Sequence, residues 1–243
     1  MLVSMMVLAA TAPFGRSFPS LPFHAVELSA SASVTIEPSS TRSIDAFGDS
    51  DVLRCLSVTV RDDVLIIDWI DSKETRSVTG DPNGNEIVAR AHKSCRRPSR
   101  NHPVHVRIKS PSIDGVTIRG HGSVSVASTS AKQFSADIGG SGEIRLAGLD
   151  AQSTRLSIGG SGRIYAAGNL GRLRTSIAGS GLIDAAASHA LALETSLAGH
   201  GEITAWVDGQ ATGSLAGNGV IAVTGSPRCA IVKQGNGKIL CPG

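Results

Sequence analysis

Four residues near the middle of the chain, His92, Cys95, His102 and His105, follow the pattern H-x2-C-x6-H-x2-H. Imidazole and thiolate at such intervals form a donor set that suits zinc. The plainer reading is a disulfide at Cys95, with the histidines in a loop and at a strand edge. We therefore expect no metal and no cofactor. A second candidate is the series of Gly-x-Gly corners, since glycine-rich loops cradle phosphates. No GK[ST] follows any corner and no βαβ unit surrounds one, so a nucleotide loop is not supported. A calcium-binding nonapeptide repeat would need an Asp two residues past its last Gly, where GGSGEIRLA has Ile144.

Acids and bases alternate outside the corners. Glu143, Asp184 and Glu202 lie near Arg145 and Arg163 in the repeat, and glycan-cleaving enzymes use paired carboxylates or a cation beside acids. Such enzymes build clefts from long loops, and none interrupts this repeat. We read a solvated, ion-paired face and assign no catalytic residue. The segment HKSCRRPSRNHPVHVRIK gathers Lys93, Arg96, Arg97, Arg100, Arg107 and Lys109. Charge attraction alone could bring it to an anionic glycan, lipopolysaccharide or phospholipid headgroup, and a basic solvated loop is its bland reading. It lacks interleaved aromatics, so a nucleic-acid partner is not expected.

The elements that carry these residues follow from the spacing of the corners. Seven corners align as GHGSVSV, GSGEIRL, GSGRIYA, GSGLIDA, GHGEITA, GNGVIAV and GNGKILC. Their second glycines are Gly122, Gly142, Gly162, Gly181, Gly201, Gly219 and Gly237, at intervals of 18 to 20 residues. A repeat of this length points to a solenoid. Four residues before the second glycine stand Ile118, Ile138, Ile158, Ile177, Leu197 and Leu215, a series that ends at Lys233. Two after it stand Val124, Ile144, Ile164, Ile183, Ile203, Ile221 and Ile239. Four after it stand Val126, Leu146, Ala166, Ala185, Ala205, Val223 and Cys241. The position between these two is mixed, with Arg145, Tyr165, Asp184 and Thr204. This alternation is that of strands with one face buried. Leucine-rich and helical repeats do not fit. The pattern predicts an all-β parallel β-helix with rungs of 18–20 residues.

Two glycines at each corner permit a sharp turn, because glycine reaches positive φ at little cost. Between them runs a polar column, His121, Ser141, Ser161, Ser180, His200, Asn218 and Asn236, which we read as a structural ladder. His121 and His200 are four rungs apart, roughly 19 Å at strand spacing, and cannot share a metal within one chain.

Composition agrees with stacked aliphatic rungs. Of 243 residues, 28 are Gly and only eight are aromatic, so Ile, Leu, Val and Ala must form the core. A formal charge of +3 is too small to argue for nucleic acid. No apolar run reaches the ~18 residues that span a bilayer. MLVSMMVLAATAPF reads as a secretory h-region without a basic start, and cleavage is placed near Ala10, Ala12 or Ala25. The four cysteines, Cys55, Cys95, Cys229 and Cys241, suit an oxidising compartment. Three pairings are open, and proximity favours Cys55–Cys95 with Cys229–Cys241. The expected organisation is a signal over 1–25, an irregular N-terminal β cap over 26–110, and the seven-cornered β-helix over 111–243. Within the cap, VLRCLSVTV and VLIIDWI are strand candidates joined by a turn at RDD.

The strand pair, the run PVHVRIKSPSIDGVTIRGHGSV and the serial GSG corners resemble the DUF2807 family, described as putative auto-transporter adhesin, head GIN domain. The resemblance extends from about Ala25 to Gly243. It implies a right-handed parallel β-helix in an exported bacterial protein, and it supplies no catalytic residues. The function expected is a non-enzymatic, adhesin-like or structural binding module of the periplasm or cell surface. Its expected partner is envelope polysaccharide or another surface glycan. A self-assembling homo-oligomeric scaffold is the alternative, and a polysaccharide lyase or hydrolase is a weaker one.

Overall fold

The computed structural model describes residues 14–70 and 103–242. The chain forms a β-solenoid of about six turns, with 72% of the described residues in strands. Each aliphatic column stacks on itself. Ile138 pairs in register with Ile158, Ile158 with Ile177, and Ile177 with Leu197. Ile144, Ile164, Ile183, Ile203 and Ile221 form the second stack, and all are buried. A parallel ladder requires a dry face to hold its register, and these columns supply it. Lys233 sits exposed in register with Leu215, so the first column loses its apolar character at the last rung.

The rungs are longer strands than their short apolar segments suggest. β11 (Glu143–Gly160), β12 (Arg163–Gly179), β13 (Leu182–Gly199) and β14 (Glu202–Gly217) each run from one corner to the next. They bend at register shifts, such as those between Leu146 and Leu149 and between Tyr165 and Gly168. Gly171 takes a left-handed φ of 54° at one bend, which a side chain would resist. A polar seam enters the core there. Thr175 donates to Thr195 at 2.8 Å, while the buried Thr154 hydroxyl has no partner.

The order of stacking departs from the order of the chain. β2 (Ala25–Leu28) and β3 (Ser33–Pro38) lie between two later segments, with parallel pairing on both sides. β6 (Val64–Trp69) and β7 (His105–Ser110) flank them on one side, and β8 (Gly115–Ile118) and β9 (Ser123–Val126) on the other. Antiparallel strands close that end. β4 (Ser43–Gly48) pairs with β7, β1 (Phe14–Phe18) with β4, and β5 (Leu56–Arg61) with β6. The β5–β6 turn falls at Asp62 and Asp63, both left-handed, as a two-residue primed hairpin requires. One helical turn, α1 (Ser50–Leu53), is capped by the Asp49 side chain.

At the other end β16 (Arg228–Gln234) pairs with β14, and β17 (Lys238–Leu240) with β15 (Val220–Gly225). Cys229 is bonded to Cys241, as proximity suggested. The expected partner of Cys55, Cys95, lies outside the described residues.

Candidate binding faces

Each corner has two glycines with different reasons to be glycine. The first takes a left-handed φ in the later rungs, 135° at Gly179 for example. The second is demanded by packing. A Cβ on Gly162 would lie 2.7 Å from Ile138 Cγ2 and 2.9 Å from the Gly142 oxygen. Corner and aliphatic column therefore fix each other. In the polar column between them, Asn218 Nδ2 lies 3.3 Å from His200 Nε2.

Of the six basic residues singled out in sequence, Lys93, Arg96, Arg97 and Arg100 lie outside the described residues. Arg107 and Lys109 project outward from β7 and are exposed. They do not stand alone. Arg107 is in register with Thr35 and Asp45, and its guanidinium lies 5.6 Å from the Phe47 ring centre. Lys109 is in register with Glu37 and Ser43. Of the metal-like group, only His105 is described, exposed on β7. Among the described residues, no three His, Cys, Asp or Glu side chains converge as a metal site would require.

Two acids of the corner-following strands, Glu143 and Asp184, are engaged by neighbours. Arg145 donates to Glu143 at 2.7 Å and lies over the Tyr165 ring at 4.5 Å. Asp184 accepts from Thr204 Oγ1 at 2.8 Å and from the Ala186 amide at 3.1 Å. Glu143 and Glu202 occupy one outward column three rungs apart, about 14 Å at strand spacing. That exceeds the ~5–9.5 Å between the two carboxyl groups of most glycosidases.

A concave surface lies elsewhere, on the strands that lead into the corners. It has a volume of about 760 Å³ and crosses β10 (Thr129–Ile138) and β11 to β14. Two outward columns line it. Gln133, Ser153, Arg172, Ala192 and Gln210 stand in register, and beside them run Arg174, Glu194 and Thr212, while Arg155, in register with Arg174, lies just beyond in an adjoining depression. Arg174 donates to Glu194 at 2.8 Å, and both side chains are 65% exposed. Leu191 edges the groove at 73% exposure. Smaller depressions continue it. One is entered past Lys132 and Gln133 toward His24 and Asp114, the other past Arg174 and Glu194 toward Arg155. Sequence reasoning missed these columns because it followed positions near the corner. The signal was present seven residues before the second glycine, where Arg155, Arg174 and Glu194 recur.

A family model, that of the putative auto-transporter adhesin, head GIN domain (DUF2807), matches residues 22–227. No curated protein matches the chain. Solved structures share the fold at low identity. A putative adhesin from Bacteroides fragilis NCTC 9343 is 20% identical with a TM-score of 0.75, covering 95% of this chain and 97% of that one. A putative lipid binding protein from Parabacteroides distasonis ATCC 8503 is 20% identical with a TM-score of 0.67, over 95% and 96%. A putative adhesin from Parabacteroides merdae ATCC 43184 is 16% identical with a TM-score of 0.65, over 95% and 96%.

Proposed function

The chain belongs to the DUF2807 family, and from that premise we propose that it is a non-enzymatic, exported binding module of the bacterial envelope that engages surface polysaccharide. One observation carries this reading. β11 to β14 pass from corner to corner, and among them no inserted loop rises to wall a cleft. Such a surface offers many similar weak contacts along one axis, which suits multivalent holding of a polymer. Glu143 is held by Arg145, and Asp184 by Thr204 and the Ala186 amide, which suits a solvated polar face.

A second reading is favoured by the last rung. Val232 and Leu240 are 62% and 57% exposed there, and Ile231 and Ile239 are only partly covered. An open, apolar strand edge favours end-to-end assembly of copies.

Incubation with isolated envelope polysaccharide separates the readings. Co-sedimentation without new chain ends in the polymer supports binding. New chain ends that vanish with Asp184→Asn or Glu202→Gln would support an enzyme. Pelleting of the protein alone, rising with its concentration, would support assembly.

A further inference from the structure

We propose that the groove across β10 to β14 is the binding site and that its occupant is a linear, carboxylated polysaccharide lying along the solenoid axis. This deepens the reading given above and rests on it. The groove crosses five adjacent strands, which places its ends roughly 19 Å apart. Its two outward columns repeat at the strand spacing, so an extended polymer meets a fresh set of side chains on each rung.

The chemistry of those side chains selects the polymer. Arg155 and Arg172 are exposed, and neither has an ion-pair partner among the described residues. Guanidinium presents a planar fork that matches a carboxylate with two parallel hydrogen bonds. Arg174 is held by Glu194, but an ion pair this exposed is weak, so a ligand carboxylate can take the place of Glu194. Around the cations stand Gln133 and Gln210, whose amides both donate and accept, as sugar hydroxyls require. No Phe, Tyr or Trp lines the groove, which leaves unpaired bases nothing to stack upon. The surface is concave, and a flat bilayer would bridge over it. The charge that sequence reading assigned to the 93–109 segment is, on this account, not the ligand-binding charge.

The test measures binding of the full chain to polygalacturonate, to neutral dextran, to vesicles of phosphatidylglycerol and phosphatidylcholine, and to oligothymidylate. The groove variant carries Arg155→Glu with Arg172→Glu, and the control carries Arg107→Glu with Lys109→Glu. We expect polygalacturonate to bind in preference to the other three probes. The groove variant should bind it about tenfold more weakly at an unchanged melting temperature, while the control binds as the wild type does. Should charge reversal disturb folding, Arg155→Gln with Arg172→Gln gives the same comparison. Glu194→Gln should bind about threefold more tightly, because it frees Arg174. A loss confined to the control overturns the proposal, and so does equal binding to vesicles or oligothymidylate. Binding of envelope polysaccharide that ignores the groove variant overturns the groove and leaves the broader reading intact. A wild-type chain that binds neither polygalacturonate nor envelope polysaccharide overturns both.

Discussion

Cys229 and Cys241 join the two sides of the last rung from inward positions. Cys229 stands in register with the buried Ala211, and Cys241 packs partly against the core. The bond ties β16 to the end of β17, the last rung among the described residues. Replacing both by Ser should lower stability by about 2–3 kcal/mol on the chain-entropy view of a twelve-residue link. Nearest-neighbour stacking confines the effect to the end. Hydrogen exchange should therefore accelerate in β16 and β17 and stay nearly unchanged in β11 and β12.

Gly162 of one corner and Gly159, which just precedes that corner, should differ in their tolerance of alanine. Gly162→Ala drives a methyl to 2.7 Å from Ile138 Cγ2 and 2.9 Å from a carbonyl oxygen of the rung below, a cost of about 1–3 kcal/mol. Gly159→Ala meets nothing closer than 3.9 Å and should be nearly neutral. Thermal melts of the two variants check the contrast.

Ile164 is fully buried between Ile144 and Ile183, so Ile164→Asp places a carboxylate in a dry column. The loss should exceed about 4 kcal/mol, a large share of the stability of any domain. Glu143→Ala removes one side of an exposed pair with Arg145 and should change stability by less than about 0.5 kcal/mol. Denaturant titration measures both.

The threonine seam predicts opposite signs for the same substitution. Thr154→Val removes a buried hydroxyl that has no partner and should stabilise by about 1 kcal/mol. Thr195→Val deprives the buried Thr175 hydroxyl of its acceptor and should destabilise by about as much. Parallel denaturant curves distinguish them.

The apolar columns were legible because burial constrains them. A dry parallel face admits Ile, Leu, Val or Ala at every rung, so Ile144 and Ile164 announce their stacking by type and spacing alone. The RDD turn was legible for a similar reason, since a hairpin needs residues that tolerate left-handed angles, and Asp62 and Asp63 do. Insertion of β2 and β3 between β6–β7 and β8–β9 left no such mark. An apolar alternation such as Val26 to Leu28 pairs equally well with any rung, and loop closure alone sets the order. The four-residue α1 is too short to show a helical period. The groove was illegible for the opposite reason to the core. Arg155, Arg172 and Arg174 occupy outward positions where the fold accepts almost any residue, so only the register of Arg155 with Arg174, and Arg172 in the column beside them, reveals their clustering.

Recognition in this groove turns on contact spread along the solenoid axis, and chain length of the ligand tests that most directly. Binding of the full chain should be measured against size-fractionated polygalacturonate at low and moderate salt. Affinity should rise with fragment length until a fragment spans the five strands of the groove, then level off, and it should weaken as salt is added. A monomer or dimer fragment that binds as tightly as the long polymer would contradict the account, because it would place recognition in one local pocket.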